Sequence, residues 1–165
     1  MELPKRKNIR LEHFDYSSPG AYFLTVCTKE RKNYFWDPAH TVGATIGRPQ
    51  DVALSPYGEI VKEAICKISK IYPIVAVDHY VIMPDHIHIL LIVRADEHGR
   101  PMVAPTTDRL MRQMKGYITK KIGRSIWQKR FIDHVIRNRQ DYEEHVKYIY
   151  ENPLKWHFNK LYADK

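Results

Sequence analysis

The chain has 165 residues, 44% of them apolar, and carries 27 Lys and Arg against 19 Asp and Glu, a net charge of +8. That length and apolar content describe a single domain over residues 1–165, and with 11 Tyr they exclude a disordered chain. No run approaches the roughly 18 unbroken apolar residues of a membrane helix, so no membrane partner is expected. MELPKRKNIR lacks the apolar centre of a secretory signal. Cys27 and Cys66 are far apart with no CxxC spacing, so they read as reduced core thiols rather than a disulfide or zinc pair, which implies a cytoplasmic location.

In chain order, residues 21–28 (AYFLTVCT) have the β-branched and aromatic content of a strand. Ser55-Pro56 is an N-cap followed by proline at the first helical position. Ile60, Val61, Ala64, Ile65, Ile68 and Ile71 then recur at helical spacing up to Tyr72-Pro73. Residues 74–83 and 86–93 are apolar runs split by Pro84-Asp85, which predicts a hairpin. Thr107 or Asp108 is placed to cap a second helix, with Leu110, Met114, Tyr117 and Ile118 on its apolar stripe and Gly123 past its end. Residues 131–137 suit a fourth strand, and a third helix is expected from about Asp141 to Asn152, stopped by Pro153. This order predicts an α+β, ferredoxin-like (βαββαβ) fold with one additional C-terminal helix. Such a fold hosts many activities and does not choose among them.

Two stretches rich in Gly, Pro and Thr, 37–53 and 95–107, read as loop insertions. Val42–Pro49 is VGATIGRP and Gly99–Thr106 is GRPMVAPT. Back-translated, the second is GGN CGN CCN ATG GTN GCN CCN ACN. Its reverse complement, read one base out of register, is GTN GGN GCN ACC ATN GGN CGN CC, which spells the first segment in full. The two stretches therefore read as arms of an inverted repeat in the gene rather than two unrelated loops. The coding strand is expected to be self-complementary across these eight codons, third positions included. Sequencing the gene checks it, and unpaired third positions would reduce the match to coincidence.

Charge is concentrated. From Arg109 to Arg139 there are ten basic residues and one acid, so this segment carries +9 and the remainder −1. With Tyr117, Trp127 and Phe131 interleaved, it favours a polyanion such as nucleic acid, the alternative being a solvated helix face.

The sharpest motif is Pro84-Asp85-His86-Ile87-His88. On a strand, residues i and i+2 share a face, so both imidazoles can reach one metal ion, while Leu90 and Ile92 continue that face. Two histidines on an apolar strand need partners when buried, and either a metal or a hydrogen-bonded core pair would satisfy them. In the late helix, at about 100° per residue, Tyr142, Val146 and Ile149 form one buried arc. Asp141, His145, Tyr148 and Asn152 lie beside it, and Tyr150 falls on the opposite flank. Tyr148 and Asn152 can therefore face a common site, although spacing alone favours a tyrosine at the core edge.

These residues carry a resemblance. Tyr80–Leu91, YVIMPDHIHILL, is similar to the signature strand of the HUH single-tyrosine transposases of the insertion-sequence-200 type. The W-Q-x-x-F-x-D-H-V-I-R run at Trp127–Arg137, and Tyr148-Ile149-x-x-Asn152-Pro153-x-Lys155, resemble the branch associated with repetitive extragenic palindromes. The likeness covers roughly residues 10–160 without the two insertions. It implies that the C-terminal helix carries the catalytic tyrosine, Tyr148, and that His86, His88 and Asn152 hold a divalent metal, Mg2+ or Mn2+. Other branches of the family have Gln where this chain has Asn152.

The implied reaction is metal-dependent cleavage and rejoining of single-stranded or hairpin DNA, of palindromic repeats in particular, through a 5′-phosphotyrosine. Lys120, Lys121, Lys129, Arg130 and Arg137 are the candidate phosphate contacts. The protein would work as a monomer or homodimer. Two rivals share parts of this pattern. One is a non-catalytic ferredoxin-like module that binds single-stranded nucleic acid by stacking and charge, which leaves the histidine pair unexplained. The other is a replication-initiator nickase with the same metal site.

Overall fold

The computed structural model describes residues 14–39, 52–95 and 106–163. Its elements are β1 (Gly20–Cys27), α1 (Pro56–Ile71), β2 (Val75–Ile82), β3 (His86–Val93), α2 (Thr107–Ile122), β4 (Ile132–Val135) and α3 (Arg139–Ala163). The strands form one antiparallel sheet in the order β2-β3-β1-β4. With α1 and α2 as the crossovers, this is the expected ferredoxin-like arrangement, and α3 is the addition.

Strand alternation sorts the core into two layers. Tyr22, Leu24, Val26, Ile87, Ile89 and Leu91 pack with Val61, Ile65 and Ile68 of α1 and Leu110, Met114 and Ile118 of α2. On the other face, Phe23, Val81, Met83 and Leu90 pack with Ile149 of α3, flanked by Tyr142, Val146 and Trp156. Strand β3 is thus covered on both sides, which is why its sequence is almost continuously apolar and why its two histidines stand out.

The Pro84-Asp85 reversal closes with Met83 N–H donating to the His86 carbonyl at 2.8 Å. Its own carbonyls hold the segment after β1: Asp85 accepts from Thr28 N–H, and Pro84 from Tyr34 and Phe35 N–H. Helix α1 lies close against that segment. A Cβ on Gly58 would stand 2.2 Å from the Phe35 carbonyl oxygen, so only glycine fits there. Ser55 caps α1 by accepting from Gly58 N–H at 3.1 Å. Gly123, at φ 84°, ends α2 in the left-handed conformation as its sequence position suggests.

Four boundaries differ from expectation, each for a local reason. Helix α2 is capped by Thr106, whose hydroxyl accepts from Arg109 N–H, not by Thr107 or Asp108. Thr107 is instead fully buried, with its hydroxyl 3.4 Å from Asp133. Residues 106 and 107 therefore belong to the fold rather than to the second insertion. Strand β4 is shorter than 131–137, because Ile136 N–H makes the last bond to β1, at Ala21, and Arg137 N–H turns to the Asp141 carboxylate. Helix α3 starts two residues early because Asn138 caps it, its side-chain oxygen accepting from Asp141 N–H at 2.9 Å.

The fourth difference is at Pro153, which interrupts nothing: α3 continues to Ala163. A proline inside a helix removes one hydrogen bond and clashes with the preceding turn, at about 3 kcal/mol. Packing of Ile149 before it and Trp156 after it against the same face of the sheet offsets that.

The first insertion is closed at its base, where Trp36 and Leu54 form a bridge and Asp37 N–H donates to the Ala53 carbonyl. Residues 40–51 and 96–105, and with them both repeat arms except Thr106, lie outside the described residues. Both cysteines are free, but Cys66 is exposed on α1 and Cys27 is only half-buried, so neither is the core thiol expected.

Candidate active site

Period-two alternation along β3 turns His86 and His88 toward α3, opposite Cys27 and Thr25 of β1. Both imidazoles are buried, with ring centroids 4.7 Å apart. Each Nδ1 has a partner. His86 Nδ1 is 2.6 Å from Asp85 Oδ1, and His88 Nδ1 is 2.8 Å from Thr25 Oγ1. Partners on Nδ1 fix the ring orientations and leave Nε2 as the working nitrogen of each ring. His88 Nε2 is fully buried and bonds to nothing among the described residues.

Behind this pair stands Arg31. Glu30 and Arg31 both occupy the left-handed region (φ 58° and 55°), an uncommon state for two successive non-glycine residues. The turn brings the Arg31 guanidinium within 2.8 Å of Asp85 Oδ2, 2.7 Å of Cys27 Sγ and 3.4 Å of His86 Nδ1. Asp85 thus joins the arginine to the histidine, and a half-exposed cation sits at the rim of the pair.

Burial lowers the pKa of both histidines, with Arg31 adding to the effect; in His88, where His86 and His145 also contribute, it falls to about 3. Both rings are therefore neutral at physiological pH. The sign for stability follows. Above about 6.5 the folded and unfolded chains both hold His88 neutral; as the pH falls from there toward about 3, only the unfolded chain takes up the proton. Metal-free protein should lose stability over that window, by up to about 1.4 kcal/mol per pH unit from this group. Urea unfolding at pH 7, 5 and 4 checks it: His88→Leu should flatten the slope, and an unchanged slope would dismiss His88 as its source.

Helix α3 lies over the pair. The Tyr148 ring is 5.1 Å from His88 and 6.1 Å from Phe23, which itself stacks on His88 at 5.1 Å. Two turns on, Trp156 is 6.0 Å from His86. Asn152, midway between these contacts on the same helical row, is buried, and its Nδ2 has no partner among the described residues. A half-turn of that amide exchanges Nδ2 for the oxygen, so the same position can present a donor or an acceptor. Tyr148 is 42% exposed, leaving its ring accessible from solvent. Tyr150 is on the other flank, 5.8 Å from His79 of β2. Tyr142 donates to Asp78 Oδ2, a bond that with burial lifts its pKa to about 12.

The five basic candidates are all exposed but do not form one patch. Lys129 and Arg130 follow a segment fastened to the His86 end of the sheet: Gln128 N–H donates to Cys27, the residue paired with His86, and Lys29 N–H to Ile126. Arg137 precedes α3, its N–H on Asp141. Lys120 and Lys121 end α2, in the layer on the opposite side of the sheet from Tyr148, where Lys121 faces the Tyr117 ring. The interleaved aromatics are not a stacking platform. Trp127 is buried against Phe35, and Tyr117 is tied to Glu63 and Lys67.

Two neutral imidazoles oriented through Nδ1, together with His88 Nε2 and the Asn152 amide Nδ2 that are buried without partners among the described residues, form a donor set that fits a divalent cation. A solved structure of a REP-associated tyrosine transposase bound to a REP hairpin is 26% identical and superposes with a TM-score of 0.55, covering 88% of this chain and 74% of that one. A REP-associated tyrosine transposase of Escherichia coli is 27% identical over 150 residues, 90% of this chain and 75% of its own. The chain is similar to the REP-associated tyrosine transposases. An uncharacterized protein of Haemophilus influenzae is 29% identical over 178 residues, spanning 96% of this chain and 94% of that protein. No family model matches the chain.

Set beside these transposase relatives, the site contains residues to which the sequence assigned no role. Asp85 reads from sequence only as a turn residue, Thr25 as one position of a strand, and Arg31 as one base among 27. His134, Asp141 and His145 also converge, their candidate ligand atoms all within 4.8 Å of one another. The spacing Asp141-x-x-x-His145 was the available signal for that cluster.

Among the described residues no helix is long and apolar enough to cross a membrane.

Proposed function

We propose that this protein cuts and rejoins single-stranded hairpin DNA, with Tyr148 as nucleophile and with His86, His88 and Asn152 holding a magnesium or manganese ion. The observation that carries this reading is the Tyr148 ring 5.1 Å from His88, whose buried Nε2 has no protein partner among the described residues. The relatives named as transposases, one of them bound to a REP hairpin, support the substrate class.

A phenol with a pKa near ~10 is a weak nucleophile at neutral pH and needs its phosphate electrophile held and neutralised. A cation held by His86, His88 and Asn152 would supply positive charge against the scissile phosphate. Asp85 and Thr25 keep the two imidazoles oriented, and Phe23 and Trp156 enclose them and limit water. Arg31, at the rim, offers a second positive charge to the DNA backbone. The Tyr148 oxygen forms a bond to phosphorus while the phosphorus–O3′ bond breaks. The phenolic proton passes to solvent and the departing O3′ takes one up from it, leaving a 5′-phosphotyrosine and a free 3′-hydroxyl. A second 3′-hydroxyl reverses the attack and joins the strands without an external energy source. The reaction belongs to the cytoplasm, in a monomer or a homodimer.

Incubation with hairpin-bearing single-stranded DNA and Mn2+ should give a covalent protein–DNA adduct that survives denaturation. Tight binding with no adduct on any hairpin would favour the non-catalytic module. Binding should also weaken steeply with salt. Lys129→Ala, Arg130→Ala and Arg137→Ala should each lower the slope of log K against log salt by about 0.7–0.9 for every phosphate the side chain neutralises. An equal effect of Lys120→Ala and Lys121→Ala would mean that DNA reaches the α1–α2 layer; an unchanged slope in all five variants would remove these residues from the interface.

A further inference from the structure

We propose that His134, Asp141 and His145 form a second divalent-cation site, of the borderline class that zinc and cobalt represent, fastening the first turn of α3 to strand β4. His134 lies on β4 directly opposite Phe23 of β1, and so on the α3 side of the sheet. Asp141 and His145 are one turn apart on α3. His134 Nε2 is 3.0 and 2.9 Å from the two carboxylate oxygens of Asp141, and His145 Nδ1 is 3.1 Å from Oδ1. His145 Nδ1 is also 2.7 Å from the Asp141 carbonyl oxygen. The two imidazoles stack nearly parallel, centroids 4.6 Å apart at 17°, with one nitrogen of each turned to the same carboxylate.

Two imidazole nitrogens and a carboxylate oxygen are a common ligand set for zinc, with the fourth position left to water. The triangle seen here is what such a set adopts without the ion. The ring nitrogens that now meet the carboxylate are the ones that would turn to the cation. The carboxylate is already oriented, because Arg137 N–H donates to Oδ2 at 2.9 Å. Burial opposes its ionisation, but this bond and those of His134 hold the Asp141 carboxyl below its ordinary pKa.

The cluster is separate from the His86–His88 pair, yet linked to it by one ring. Phe23 is 4.5 Å from His145, 5.1 Å from His88 and 6.1 Å from Tyr148. A cation bridging β4 to α3 would therefore restrain the helix one turn before Tyr148. The inference stands on the cluster itself and does not depend on Tyr148 being a nucleophile.

The test uses the full chain stripped of metal, titrated with Co2+ and followed by its visible absorption, and with Zn2+ by calorimetry. Wild type should take two ions per chain, His86→Ala/His88→Ala one, and addition of His134→Ala and His145→Ala none. Zn2+ should raise the Tm of the two-histidine variant and not that of the four-histidine variant. If replacing both cluster histidines with alanine unfolds the chain, as judged by circular dichroism, the milder His134→Gln in the same two-histidine background should still lose the Co2+ spectrum. The proposal is overturned if His86→Ala/His88→Ala binds no ion, or if a one-ion stoichiometry survives the loss of His134 and His145.

Discussion

Tyr148→Phe is expected to bind hairpin DNA nearly as tightly as wild type and to form no covalent adduct. The substitution keeps the ring that meets His88 and Phe23 and removes only the oxygen, on a side chain already 42% exposed. Little stability should therefore change. Tyr150→Phe is the control: its ring faces His79 on the other flank of α3, so its adduct should form as in wild type. Denaturing electrophoresis with labelled hairpin DNA and Mn2+ reads both. If Tyr148→Phe still forms the adduct while Tyr150→Phe does not, the nucleophile has been assigned to the wrong flank of the helix.

The second large effect is expected at the histidine pair. His86→Ala and His88→Ala should each abolish cleavage, as should excess chelator, while circular dichroism and hairpin binding persist. Leu90 remains buried on the same face of β3, and Ile87, Ile89 and Leu91 hold the other, so the strand keeps its anchors. His88→Leu sharpens the point. It replaces a ring with a buried unpaired nitrogen by apolar surface, relieving a penalty of about 1–3 kcal/mol, partly offset by loss of the Thr25 bond. The metal-free variant should thus be no less stable in urea than wild type, yet inactive. Full cleavage by the double alanine variant would end the metal mechanism.

The parts of this site that sequence makes legible are those with a short period. Histidines at i and i+2 on an apolar strand must share a face, and a tyrosine and an asparagine at i and i+4 on a helix must share a row. Arg31 is invisible to such reasoning, because it reaches Asp85 across 54 positions through two left-handed residues that no local rule predicts. Trp127 misleads for the opposite reason. Composition places it among bases, whereas long-range packing against Phe35 buries it. The fold itself follows from apolar periodicity, and the misplaced ends follow from caps, Thr106 and Asn138, that lie one to three residues from equally plausible polar neighbours. Pro153 misleads through its intrinsic preference, which tertiary packing outweighs.

The pairing of residues 36–37 with 53–54 also bears on how a gene can serve two masters. Once the base of a connection is clamped, lengthening what it carries adds closure entropy only logarithmically, about 0.6 kcal/mol per doubling. Codons beyond such a clamp are nearly free of the demands of folding. If the coding strand is self-complementary as expected, the first arm lies where that second demand costs the fold least.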